Sequence, residues 1–245
     1  MENEKPEMTS ILTFDSVSKI FNLGTHSLKN ITISIDYGEF VFLCGRTGAG
    51  KSTFLRLITK ELEPTKGTVT FEGQDLAEVS HKELPFLRRK IGTVRQGSGL
   101  FLQHLTAAEN IEFVMRATGN PENTLYERSR KALALVGMSR KADTLISDMS
   151  IGERKRVEIA RAVVNNPKLL IVDEPTANLD RDTAWDIMSL FNEINRCGVT
   201  ILMVTHDRQM VNIMRKRVVT FSKGIMLGDV KKGRYGELIK GLEEF

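Results

Sequence analysis

Cysteine is scarce in this chain: only Cys44 and Cys197 occur, and no metal-ligand spacing relates them. That excludes a disulfide framework and favours a reducing compartment. Cys44 lies inside an apolar run and reads as a small buried thiol. Long hydrophobic runs are missing too. The longest, Phe40–Cys44 and Val199–Val204, fall far short of the ~18–20 residues of a membrane span. Work at a membrane therefore requires another chain as the anchor. Met1 to Glu7 offers neither a basic region nor an apolar core, so no secretory signal is expected. Charge of one sign is lacking as well. Thirty-five Lys and Arg against 31 Asp and Glu leave a net charge of +4, too balanced to argue for a nucleic-acid binder, and no nucleic acid is expected. Aromatics make up 7% of residues, and no internal repeat or low-complexity segment is present.

What remains is an ordinary globular composition, 41% hydrophobic and 27% charged over 245 residues, enough for one large or two small domains. Residues 1–10 are polar and expected to fray. Apolar residues from Ile11 to Glu39 mostly alternate, as in Ile31 to Ile35, which predicts strands with one wet face. Phe40–Cys44 is continuous, as in a strand covered on both faces. A helix is predicted over Ser52–Leu62, from the spacing of Phe54, Leu55, Ile58 and Leu62. Short strands follow at Thr68–Phe71 and Ile91–Gln96. The character changes over about 98–165 to three helices. The first is announced by a capping box at Thr106 and Glu109, the second ends at Gly137, and the third stops before Pro167. Strand patterns return at Lys168–Asp173 and Val199–Thr205, around a helix marked by Ile187, Leu190, Phe191 and Ile194. Two smaller strands, Val218–Phe221 and Ile225–Gly228, come last. The expected fold is α/β: a mixed, mostly parallel sheet, an antiparallel β lobe and a helical insert. A charged tail, Lys231–Phe245, is expected to be peripheral.

Chemistry concentrates in a few segments. Gly45-Arg46-Thr47-Gly48-Ala49-Gly50-Lys51-Ser52 matches the phosphate-loop pattern, with Thr53 continuing into the predicted helix. Its glycines let several amides converge on phosphate oxygens, and the helix start adds partial positive charge. Lys51 is placed to reach the β- and γ-phosphates, and the Ser52 hydroxyl to ligate Mg²⁺. With glycine at about 7% of residues, such a match arises by chance in about one chain per hundred of this size. Leu169–Glu174 is a buried strand that delivers Asp173 to a sheet edge, where α/β folds bind ligands. Asp173 is the second candidate Mg²⁺ ligand, held through water, and Glu174 the candidate base for an attacking water. His206 follows the next buried strand to the same edge.

These segments, with Gln96, Met149–Glu153, Ala177–Asp180 and the helix Arg156–Ala162, resemble the ATP-binding-cassette (ABC) ATPases in order and spacing. The likeness spans about residues 11–228. It implies a phosphate-loop ATPase with a RecA-like core, one ATP-binding domain over 11–230 and the helical subdomain at about 98–165. It also implies ATP and Mg²⁺ as cofactors and a homodimer. Phe21 would stack on adenine, and Gln96 would touch Mg²⁺ and water while sensing a partner. Ser150 and Gly152 would bind the γ-phosphate held by the opposite subunit. Asp180 would lie at the dimer seam, Glu174 would be the catalytic base and His206 the switch residue. One departure stands out: Ser150-Ile151-Gly152 replaces the usual Ser-Gly-Gly, and the β-branched Ile151 restricts the backbone.

Within that family the chain is most similar to the ATP-binding subunits that serve bacterial cell division, in Val79–Gly92, Val157–Asn165, Phe191–Thr200 and Leu202–Asp207. That likeness implies a peripheral position on the cytoplasmic face of the cell membrane, beneath an integral-membrane partner that regulates cell-wall hydrolases. Ser98–His104 is the candidate partner groove, where Leu100, Phe101 and Leu102 either dock a short helix or belong to the core of the helical insert. Subunits of lipoprotein-release or macrolide exporters share much of this frame, and a soluble ABC ATPase or a non-catalytic nucleotide-binding scaffold remain alternatives.

Overall fold

The computed structural model describes residues 9–21, 26–95 and 101–237, the side chain of His26 excepted. Gln96, Ser98 and Leu100 lie outside the described residues. The chain divides into two compact units, Met1–Leu84 with Val211–Phe245, and Pro85–Met210.

The first unit opens with two long strands, β1 (Ser10–Ile20) and β2 (His26–Asp36), paired antiparallel. Their alternation works as expected: Leu28, Ile31, Ile33 and Ile35 are buried while Thr32 and Ser34 face water. The ladder is interrupted where Ser16 and Asn30 take positive φ. Hydroxyls close the gaps, Thr32 Oγ1 accepting from the Ser16 amide and Ser18 Oγ from the Asn30 amide. β3 (Phe40–Cys44) is wholly buried and leads to α1 (Lys51–Ile58). β4 (Lys66–Phe71) and β5 (Gln74–Asp75) complete an antiparallel lobe in the order β2-β1-β4-β5.

The second unit begins within α2 (Leu84–Arg89), followed by β6 (Ile91–Val94). The helical segment consists of α3 (Ala107–Ala117), α4 (Glu122–Leu135) and α5 (Ile151–Val163). Thr106 forms the expected capping box with Glu109. β7 (Leu169–Asp173), α6 (Arg181–Arg196), β8 (Thr200–Val204) and α7 (Arg208–Met214) follow. β6, β7 and β8 form parallel ladders. In the first unit, β9 (Arg217–Ser222) runs parallel to β3 and turns back as β10 (Ile225–Val230). The α/β class, the parallel ladders and the antiparallel lobe are as the sequence predicts.

Two differences have physical causes. α1 ends at Ile58 rather than Leu62, because Lys60 takes φ 49° and its ammonium donates to the carbonyls of Leu76 and Val79, both at 2.6 Å. That pulls the chain off the helix axis. α2 and α7 are short, and neither carries a full apolar period for sequence reading to find.

The phosphate loop sits on a rigid base. Phe54 of α1 stacks on Phe14 of β1, with ring centroids 4.1 Å apart, and lies 5.4 Å from Phe221 of β9. All three side chains are fully buried, and aromatic contacts of this geometry add about 1 kcal/mol beyond area burial.

Candidate active site

In the first unit, the turn from β3 to α1 is shaped by glycines with positive φ: Gly45 at 141°, Gly48 at 79° and Gly50 at 108°. At two of them even a methyl group has no room. A Cβ on Gly45 would stand 2.3 Å from the Phe221 carbonyl oxygen, and one on Gly50 would stand 2.5 Å from that of Ser27. The turn is tied to its neighbours by the Gly224 amide, which donates to the Ala49 carbonyl at 3.0 Å. Thr53 Oγ1 shares a 2.7 Å hydrogen bond with Ser27 Oγ. Lys51 is buried and bends back over the loop, its ammonium donating to the carbonyls of Gly45 at 2.6 Å and Arg46 at 3.1 Å. Arg46, Thr47, Gly48 and Ser52 are exposed. The N-cap of α1 is Gly50, which supplies no side-chain acceptor, and the first turn holds no acid. No side chain of the cap or the first turn therefore competes with an anion at this helix start. Phe21, in the same unit, is 38% exposed, with Lys19 Nζ 5.6 Å from its ring centroid; it is a surface aromatic, not a core one.

The second unit carries the acids. β7 delivers Asp173, half-buried, to its C-terminal end. Glu174 follows with φ 47°, a conformation that costs an L-residue about 1 kcal/mol or more and concentrates at functional sites. Its amide is held by the Val204 carbonyl at 3.0 Å, which anchors the kink to the end of β8. The Glu174 carboxylate meets His206 twice. Oε2 accepts from the His206 amide at 3.3 Å, and Oε1 lies 3.5 Å from the imidazole Nε2. The turn that carries His206 is fixed on its far side, where the Asp207 amide donates to Thr205 Oγ1 and the Asp207 carboxylate accepts from the Met210 amide.

The start of α5 forms a third feature. Ser150 Oγ accepts from the Glu153 amide at 3.2 Å, and the Glu153 carboxylate accepts from the Ser150 amide at 3.0 Å. Lys141 and then Ser150 hold the Glu153 carboxyl below its usual pKa. Ile151 occupies the first helical position with its side chain 55% exposed, and its φ is not positive. The helix absorbs the substitution, because no left-handed conformation is required there. Gly152 is needed for packing: a Cβ there would lie 2.8 Å from Thr183 Cγ2 on α6. Asp180 caps that helix, accepting from the Thr183 amide at 2.9 Å, and Thr183 keeps its carboxyl below the ordinary value, by its side chain first and then its amide. Ser150, Gly152 and Asp180 thus share one pair of helix starts.

The structure gathers Gly45–Thr53 in one turn, Asp173, Glu174 and His206 at the ends of adjacent parallel strands, and Ser150, Gly152 and Asp180 at the α5–α6 start. Gln96 falls outside the described residues. Of the two readings open for Phe101, docking residue or core of the insert, the structure shows the second: it is 7% exposed, with the Arg161 guanidinium 4.6 Å from its ring centroid. It belongs to the core, because a helical insert this small needs its large side chains inside. Glu153 and Thr183 escaped the sequence reading, although Ser150-x-x-Glu153 spells a capping box. Among the described residues no cluster of three or more His, Cys, Asp or Glu could hold a metal, and no helix is long and apolar enough to cross a membrane.

The glycine-shaped loop of the first unit and, in the second, a strand ending in Asp173 and a strained Glu174 are the features of a phosphate-loop nucleoside triphosphatase. The family model described as ABC transporter matches residues 28–177, and the chain belongs to that family. It is an ATP-binding and ATP-hydrolysing protein of the ABC type. Among curated proteins, it is similar to the cell division ATP-binding protein FtsE of Bacillus subtilis, with 42% identity over 226 residues, covering 92% of this chain and 99% of the relative. FtsE of Escherichia coli is 40% identical over 220 residues, covering 90% and 99%. Among solved structures, cbiO1 of Clostridium perfringens, part of the ABC transporter complex cbiONQ, gives a TM-score of 0.86 at 31% identity, over 91% of this chain and 89% of that one. The ATP-binding cassette MJ0796, a dimer in a post-hydrolysis state with ADP and Pi, gives 0.79 at 31% identity, over 91% and 100%.

Proposed function

We propose that this chain is the ATP-hydrolysing subunit of a bacterial cell-division complex of the FtsE–FtsX type. It works as a homodimer on the cytoplasmic face of the membrane, held there by an FtsX-like integral-membrane partner. Dimer closure on ATP and reopening after hydrolysis are then passed to that partner, which regulates peptidoglycan hydrolysis. Identity of 42% to a division protein, over 99% of that protein's length, carries the cellular part of this reading. The glycine cradle carries the chemical part.

The residues take these roles. Amides of Gly45–Lys51 and the Lys51 ammonium bind the phosphates, and exchange of the Lys51–carbonyl bonds for phosphate oxygens opens the loop to its ligand. Thr53 supports the helix start, and Phe21 stacks on the adenine. Ser52, Gln96 and Asp173 offer hard oxygen donors, the type Mg²⁺ prefers alongside phosphate oxygens. When bound, the metal neutralises charge on the β- and γ-phosphates. Glu174 takes the proton of the attacking water, its carboxylate oriented by the positive-φ kink and the His206 amide. His206 stabilises charge beside it. Ser150 and Gly152 contact the γ-phosphate held by the other subunit, and Asp180 lies at the seam.

Glu174→Gln tests the chemistry. It should retain MgATP affinity and lower turnover at least about 100-fold, measured by phosphate release; turnover at the wild-type rate would remove the base assignment. Co-purification from the native membrane with an FtsX-like protein tests the cellular reading. Recovery with an exporter's membrane subunits instead would replace it.

A further inference from the structure

α5 starts at Ser150 and carries, one turn in, two charged side chains of opposite sign that are both buried: Lys155 at 6% and Glu158 at 4% exposure. Lys155 Nζ donates to Glu158 Oε2 at 2.6 Å. The rest of the pair's bonding goes to the backbone of a single residue. The Arg95 amide donates to Glu158 Oε1 at 3.1 Å, and Lys155 Nζ donates to the Arg95 carbonyl at 3.4 Å. Arg95 directly follows β6. A turn further along α5, the Arg161 guanidinium lies 4.6 Å from the centroid of the buried Phe101 ring. Burial lowers the Arg161 pKa, and Glu158 opposes that shift. One face of α5 therefore holds the residues on both sides of 96–100 in the sequence.

A buried ion pair is a poor stabiliser, because desolvation offsets most of the attraction and two well-packed apolar side chains often serve as well. What apolar side chains cannot do is hold an N–H and a C=O of the same residue in fixed register. The use of this pair is therefore geometric. We propose that Glu158, held by Lys155, is a positioning residue for ATP hydrolysis. It locks the backbone at the end of β6 to the helix that begins at Ser150, so that the position of that helix is imposed on the residue preceding Gln96. The proposal rests on the roles assigned above to Ser150 and Gln96. Glu158 touches no reacting atom; it acts through Arg95.

The test uses the full-length chain and reads kcat, KM for MgATP and the thermal midpoint. Lys155→Met with Glu158→Leu removes both charges together and so leaves no orphaned ion. Its kcat should fall about tenfold or more, as expected when a supporting contact misplaces groups near the chemistry, while KM stays near the wild-type value. Glu158→Gln combined with Lys155→Met keeps an acceptor for the Arg95 amide without orphaning an ammonium, and should recover most of the rate. Arg95→Pro deletes the donor while leaving the ion pair intact, and should reproduce the fall in kcat even if Lys155→Met with Glu158→Leu does not fold. A wild-type kcat in folded Lys155→Met with Glu158→Leu, or in Arg95→Pro, overturns the proposal. So does a lowered midpoint with no change in kcat per folded molecule. Glu174→Gln, measured alongside, separates the two levels: a wild-type rate there removes the underlying site reading, whereas a wild-type rate in Lys155→Met with Glu158→Leu alone removes only this proposal.

Discussion

The two helix starts to which we assign phosphate contacts are built in opposite ways. α1 begins at Gly50, with φ 108°, no side-chain acceptor at its cap and no acid in its first turn. α5 begins at Ser150, whose hydroxyl and main chain are closed into a capping box with Glu153. An uncapped start keeps the positive end of the helix dipole open to an anion, with no side chain of its own in the way. The capped start has satisfied two of its donors, the Ser150 and Glu153 amides. Under the proposed function, the two starts divide the work on a phosphate: the loop that leads into α1 is the grip within one copy of the chain. α5 is stable without ligand, and Ser150 can still contribute, since its hydroxyl accepts from Glu153 and keeps its own O–H to donate. The Glu153 charge beside it is offset by Lys141, 2.5 Å away.

Breaking each start separately should expose that asymmetry. The largest effect is expected at α1. Lys51→Ala removes the buried ammonium and should weaken MgATP affinity at least about 100-fold, measured by equilibrium titration. Next comes the seat of α5 on α6. Gly152→Ala places a methyl 2.8 Å from Thr183 Cγ2 and should cost about 2 kcal/mol of stability through overpacking, read as a lowered denaturation midpoint. The smallest effect on the fold is expected at the cap. Ser150→Ala should cost about 1 kcal/mol of stability and reduce turnover about tenfold through loss of one phosphate donor. ATP binding by a single copy should be unchanged.

The same contrast explains what could be read without a structure. The α1 grip was legible because its backbone demands particular residues: Gly45 and Gly50 stand where any Cβ meets a carbonyl oxygen. Strands β3, β7 and β8 were legible because burial on both faces leaves a continuous apolar run. The α5 start was visible only as part of a family pattern, since Ser150 and Gly152 act through packing and capping that depend on Glu153 and Thr183. The early end of α1 was not legible, because it depends on Lys60 reaching carbonyls at Leu76 and Val79, far along the chain. Neither was the positive φ of Glu174, which is imposed by the Val204 carbonyl on a neighbouring strand. The burial of Phe101 could not be decided from sequence, because a short apolar stretch looks the same whether a neighbouring helix covers it or water does.

In this reading one copy of the chain grips nucleotide without help from the α5 start. The most direct test is a MgATP titration of folded, monomeric full-length protein, comparing Lys51→Ala with Ser150→Ala. Lys51→Ala should bind at least about 100-fold more weakly than the wild type, while Ser150→Ala binds as the wild type does. Equal loss in both variants, or wild-type affinity in both, would contradict it.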